Sequence, residues 1–107
     1  MEISRRDLLS RIEAGAAPAI LDVRSRMEFD DGHVPGARHV PFWLVAFRLA
    51  RVGAARDEEI VVYCGHRPRA QMAAAVLRRA GFRRVTYLEG DMAGWRQDRL
   101  PLQRAGG

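Results

Sequence analysis

The run Ile60-Val61-Val62-Tyr63 ends on Cys64, and the turn Gly65-His66-Arg67-Pro68 leads directly into an Ala-rich stretch from Arg69 to Ala80. A short β-branched run reads as a strand, and apolar residues recurring every three or four positions read as a helix. Met72, Ala73, Val76, Leu77 and Ala80 share one face of that helix, Arg78 and Arg79 suit its C-terminal end, and Gly81 caps it. The junction therefore sets the only cysteine of the chain at the C-terminal end of a strand and at the mouth of a helix. Backbone N–H groups and the positive end of the helix dipole converge on such a place and favour negative charge.

The same alternation recurs along the chain. Ser4 is a good N-cap, Asp7 lies in the first turn, Leu8, Leu9 and Ile12 share a face, and Gly15 ends that helix. Ala19 to Val23 reads as a buried strand with Asp22 near its end. Arg26 to Asp31 is a short polar helical turn at best, and Arg38-His39-Val40 a brief strand after a turn-rich segment. Pro41 suits the first position of another helix, with Phe42, Val45, Ala46 and Leu49 inward and Gly53 closing it. Asp57-Glu58-Glu59 reads as a solvated turn, Val85 to Leu88 as a strand, and Asp91 to Gln97 as a final short helix. The strands are mostly apolar rather than alternating, which favours a central parallel β-sheet flanked by helices on both faces, an α/β fold. In such sheets ligands sit at the carboxyl ends of the strands.

The 107 residues suit a single domain spanning 1–107, with the tail from Pro101 to Gly107 expected to be loosely held. No run approaches the roughly 20 apolar residues of a membrane span, and the N-terminal residues carry no apolar signal core. A cytoplasmic protein without a membrane partner is expected. The net charge of +5 comes with 18 basic residues, all arginine, scattered along the chain and often near acids. No nucleic-acid motif accompanies them, so the charge favours a small anionic substrate or an acidic partner over nucleic acid.

A lone cysteine often serves as a small buried hydrophobe. Here, however, a loop from Gly65 to Arg69 that wraps Cys64 would aim N–H groups inward, favouring the thiolate and cradling a charged adduct. Arg67 and Arg69 would steer and clamp an oxyanion. Pro68 removes one donor and pushes Arg67 toward an extended conformation. His66 is a further candidate contact, and Ala70 stands at the helix start. Acyl transfer needs a base oriented by a third group, which His33, His39 and His66 do not supply. A dithiol mechanism needs a second cysteine, and a metal site needs a ligand spacing that is missing. No cofactor or metal is expected. A single thiolate can still carry a sulfur atom without a general base.

Three segments together give the chain a family resemblance. Leu21-Asp22-Val23-Arg24 is followed by Glu28-Phe29 and Gly32-His33-Val34-Pro35-Gly36-Ala37. The Cys64 loop is the second segment. Gly81-Phe82, Val85, Leu88-Glu89-Gly90 and Trp95 form the third. In this order and spacing they resemble the rhodanese-homology domain over nearly the whole chain. That resemblance implies a parallel sheet flanked by helices and a Cys64 persulfide. Six residues from Cys64 to Arg69, C-x4-R, match the loop of sulfurtransferase members, whereas related dual-specificity phosphatases use C-x5-R. The chain departs from the pattern at three places: Arg67 stands where glycine is common, Asp91 replaces the second glycine of the closing segment, and Ala70 stands where serine is frequent. Asp22 and Arg24 are expected to fix the strand end near the loop structurally, His33 to hydrogen-bond within its turn, and Trp95 and Phe82 to be core.

The expectation is thus a sulfurtransferase moving sulfane sulfur from thiosulfate or a similar small anionic donor to cyanide or a thiol. Cys64 is its catalytic residue, and Gly65, His66, Arg67, Arg69 and Ala70 line the substrate. A sulfur-relay protein is a further possible partner. The alternatives are a sulfur-carrier or docking module and, disfavoured by the loop length, a phosphatase or arsenate reductase.

Overall fold

The computed structural model describes residues 1–104. Five strands make one sheet: β1 (Glu2–Ile3), β2 (Ala19–Asp22), β3 (Arg38–His39), β4 (Glu59–Tyr63) and β5 (Arg84–Leu88). Their order across the sheet is β1-β5-β4-β2-β3, and every pairing is parallel. Central β4 is in register with β2 through Leu21–Val62 and Asp22–Tyr63, and with β5 through Ile60–Val85 and Val62–Tyr87.

A parallel sheet has to be covered on both faces, and β4 shows how each layer is met. Ile60 and Val62 are buried in one apolar cluster, Val61 and Tyr63 in the other. Helix α3 (Pro68–Arg79) covers the first face and buries Ala70, Ala73, Ala74 and Leu77. Helices α1 (Arg5–Glu13) and α4 (Asp91–Gln97) contribute Leu8, Met92 and Trp95 to the second. Because side chains alternate along a strand, Cys64 continues the series of Ile60 and Val62 and faces α3. Ser4 caps α1 as its sequence implies, accepting from the Asp7 N–H at 3.0 Å.

Several local expectations are corrected. β1 is an additional edge strand, too short for any periodicity to announce. Glu59 opens β4 rather than closing a solvated turn, and its carboxylate pairs with Arg11 at 2.8 Å. The segment after Pro41 is not an α-helix but two 3₁₀ segments, Phe42–Phe47 and Leu49–Arg51. A three-residue turn stacks Phe42 above Val45 and leaves Ala46 exposed, outside the inward face on which an α-helical spacing puts it. Met72 likewise points outward at 55% exposure; Ala70 and Ala74 take the inner face of α3 with Ala73 and Leu77. That choice follows the phase set by the sheet rather than hydrophobicity residue by residue.

Arg26–Asp31 is a full helix, α2, because Ser25 and Glu28 form a reciprocal capping box. The tail is tied down through residue 104. The Trp95 indole N–H donates to the Pro101 carbonyl at 2.8 Å, Gln103 exchanges backbone hydrogen bonds with His33, and Arg104 Nε donates to the Asp31 carbonyl. Residues 105–107, also expected to be loose, lie outside the described residues. Among the described residues no helix is long and apolar enough to cross a membrane.

Candidate active site

All strands being parallel, their carboxyl ends share one edge, and Cys64 lies there directly after β4. Its Sγ accepts hydrogen bonds from the Arg67 N–H at 3.0 Å and the Ala70 N–H at 3.3 Å. The Ala70 amide belongs to the first turn of α3, where N–H groups have no partner within the helix. Pro68, which lies between these two donors, supplies no N–H. Two N–H dipoles are thus aimed at one sulfur. Cys64 itself is fully buried, Gly65 half-buried and His66 exposed.

The backbone of Arg67 is not extended. Its φ of 101° and ψ of −49° lie in a region that residues with a Cβ seldom adopt. Proline at the next position disfavours a right-handed helical residue. Wrapping the chain around the sulfur takes Arg67 to positive φ instead, where glycine is at ease and arginine is strained.

Both loop guanidinium groups are engaged with carboxylates. Arg67 Nε donates to Asp91 Oδ2 at 2.9 Å, and its Nη2 to Glu2 Oε2 at 2.7 Å and the Leu88 carbonyl at 3.1 Å. The same guanidinium lies 4.5 Å from the centre of the Tyr87 ring. Arg69 forms a fork with Glu28, at 2.6 and 3.0 Å. Arg69 stays charged above its ordinary range, chiefly through the Glu28 hydrogen bond against the cost of burial.

The start of α4 grips the cysteine loop from below. The Met92 N–H donates to the Cys64 carbonyl at 2.9 Å and the Ala93 N–H to the Gly65 carbonyl at 3.2 Å. In return the Cys64 N–H donates to Asp91 Oδ1 at 3.1 Å. Asp91 is 2% exposed and has a φ of 52°. Sequence reasoning missed its role and registered it only as a departure from a glycine. The available signal was that Asp91 and Arg67, two residues of opposite charge, both stand where glycine is usual.

Asp22 and Arg24 lie behind this loop. Asp22 accepts from the Tyr63 hydroxyl at 2.7 Å, from the Arg24 N–H at 2.9 Å and from the Arg24 guanidinium at 2.7 to 3.1 Å. Arg24 Nη2 also donates to the Gly32 carbonyl, and the Val34 N–H donates to the Tyr63 oxygen. These hydrogen bonds lock the ends of β2 and β4 together. Burial, reinforced by Asp22, pushes the Tyr63 hydroxyl well above its ordinary titration range and keeps it a donor. His33 stacks on Phe29 at 3.7 Å and pairs Nδ1 with the Phe29 carbonyl.

Glu28 is a second residue whose role the sequence did not announce. The Arg69 hydrogen bond, with help from Ser25, overcomes burial and holds its carboxyl at about 2 against an ordinary 4.5. A carboxyl lowered by folding adds stability that is complete above its unfolded value and lost as the pH falls through the folded one. The stability gap between the native protein and Glu28→Gln should therefore narrow from about pH 5 to about pH 2.5. Urea unfolding at several pH values measures it, and a constant gap would contradict the pairing. Glu28 is 39% exposed, so the effect is small.

Among the described residues no three His, Cys, Asp or Glu side chains converge as a metal site requires. A shallow concavity lined by Arg11, Pro18, Glu59 and Arg84 lies at the opposite end of the strands, away from the cysteine.

Comparison with known proteins agrees with this architecture. The family model described as a rhodanese-like domain matches residues 4–98. A protein named sulfurtransferase from Allochromatium vinosum is 29% identical over 94% of this chain and 92% of its own length. A protein named as an HTH-type transcriptional regulator, from Mycobacterium tuberculosis, is 40% identical over 94% of this chain, but the chain spans only 43% of that relative. Among solved structures, a protein from Anabaena sp. superposes with a TM-score of 0.85 at 32% identity, covering 97% of this chain and 83% of that one.

Proposed function

Because this chain belongs to the rhodanese-like domain family, we propose that it is a sulfurtransferase working through a persulfide on Cys64. The observation that carries the proposal is the pair of N–H donors on Sγ, at 3.0 and 3.3 Å, at the carboxyl edge of the sheet. The Cys64 thiolate attacks the outer sulfur of thiosulfate. The S–S bond of the donor breaks, its electron pair leaves with sulfite, and a new S–S bond forms on Sγ. Cyanide or a thiol then attacks the terminal sulfur, and the bond to Sγ breaks with its electrons returning to the Cys64 thiolate. The negative charge moves out by one sulfur and back, so the N–H groups facing it have to serve both states.

Donor binding falls to Gly65, His66, Arg67, Arg69 and Ala70 in this proposal, with unequal parts. Ala70 and Arg67 contribute amides. Arg69 recognises the oxyanion of the donor by exchanging its bond to Glu28 for one to substrate. Asp22 and Arg24 hold the strand ends and do not touch the donor. The loop of six residues from Cys64 to Arg69 suits a single sulfur atom better than a phosphoryl group with its three outer oxygens.

Intact mass spectrometry tests this reading. Freshly purified protein incubated with thiosulfate is expected to gain one sulfur atom and to lose it on addition of cyanide or a thiol. No gain with thiosulfate but a gain from a protein persulfide would mark a carrier module in a sulfur relay. Hydrolysis of an aryl phosphate with no sulfur uptake would overturn the sulfur chemistry in favour of a phosphatase.

A further inference from the structure

Arg67 and Asp91 are both non-glycine residues at positive φ, 101° and 52°, and both border the cysteine cradle. Each belongs to a different element: Arg67 precedes α3, and Asp91 opens α4. Their side chains meet at 2.9 Å, with Asp91 almost fully buried. The Asp91 carboxylate is shared, since Oδ1 accepts the Cys64 N–H while Oδ2 accepts from Arg67 Nε. The backbone N–H of the same Arg67 donates to Cys64 Sγ. A closed circuit results, from Sγ to the Arg67 amide, through the Arg67 side chain to Asp91, and back to the Cys64 amide.

We propose that the Arg67–Asp91 pair is a positioning device that holds a strained backbone so that the Arg67 N–H faces the Cys64 sulfur. The inference rests on Cys64 being the reacting group, as read above. A residue with a Cβ near φ 101°, ψ −49° is under strain and relaxes toward negative φ unless something opposes it. Rotation about that backbone would swing the N–H off Sγ and leave only the Ala70 donor. The opposing force is visible in the guanidinium, which is held by Asp91, by Glu2, by the Leu88 carbonyl and by the face of Tyr87. Glycine at position 67 would meet the same geometry without strain; this chain meets it with an anchored arginine. The guanidinium is thus committed to Asp91, Glu2 and the Leu88 carbonyl, and Arg67 acts on the site through its amide rather than through its charge.

Two contrasts separate positioning from simple electrostatics. Arg67→Ala and Arg67→Gly lose the same positive charge, but only alanine keeps the strain with nothing to oppose it. Asp91→Asn removes a negative charge close to the thiolate, which by Coulomb's law alone would make the thiolate easier to form. It also sets a side-chain amide against Arg67 Nε and weakens the anchor. The readout is the rate of Cys64 alkylation by iodoacetamide as a function of pH, with circular dichroism confirming the fold of each variant.

Arg67→Ala is expected to be slowed roughly tenfold at neutral pH, about the loss of one hydrogen bond to a charged acceptor. Its pH–rate curve should move to higher pH. Arg67→Gly should react several-fold faster than Arg67→Ala, and Asp91→Asn should be slower than the native protein. Equal rates for the alanine and glycine variants, or an accelerated Asp91→Asn, would overturn the proposal. Alkylation needs no sulfur donor, so a failed sulfur uptake and a failed positioning device give distinguishable results.

Discussion

Cys64→Ser is expected to abolish sulfur transfer while leaving the fold in place. A hydroxyl fits the space of the thiol and accepts the same two N–H groups, so Arg67 and Ala70 keep a partner. It is nevertheless not ionised near neutral pH and cannot form a persulfide. Removing the nucleophile of a covalent mechanism costs on the order of a thousandfold or more in rate. Steady-state turnover of thiosulfate with cyanide, alongside intact mass, measures this loss. Transfer within a few-fold of the native rate would place the chemistry elsewhere.

The second large effect concerns stability. Asp22→Ala is expected to cost about 3–5 kcal/mol, because it leaves a buried guanidinium without its counter-charge. Burial works against the Arg24 charge, and the hydrogen bonds and charge of Asp22 more than offset it, holding the guanidinium above its ordinary range. The Tyr63 hydroxyl would lose its acceptor in the same step, adding to the cost. A domain of this kind has only about 5–15 kcal/mol in total, so the variant would sit near the limit of folding. Urea unfolding at neutral pH gives the difference. A cost below about 1 kcal/mol would mean that the network is not what joins β2 to β4.

Both predictions use residues that the sequence brought forward, but it defined their roles unequally. The position of Cys64 was legible because its surroundings are local: a β-branched run before it, a turn after it and a helix start beyond. Asp22 and Arg24 were legible as a strand end, and the structure supplied Tyr63 and Gly32 as the partners that bury them. The α-helix expected after Pro41 illustrates the opposite case. Phe42, Val45, Ala46 and Leu49 fit a helical spacing, yet the chain winds more tightly, stacks Phe42 over Val45 and turns Ala46 and Phe47 outward. Apolar pattern fixes neither the pitch of a short segment nor its end, and here the segment packs against α3.

The sequence by itself determined the parallel α/β order, the place of the cysteine at a strand end, the length of its loop and the cap of the first helix. Each depends on residues a few positions apart, where propensity and spacing act directly. Only the tertiary structure decided which way the loop arginines point. Arg69 reaches a glutamate 41 residues away and Arg67 an aspartate 24 residues away, distances over which no local preference reads. A charge near a cysteine in sequence suggests a hand on the substrate. Folding brings carboxylates to both arginines first, because a partly buried guanidinium without a partner is costly.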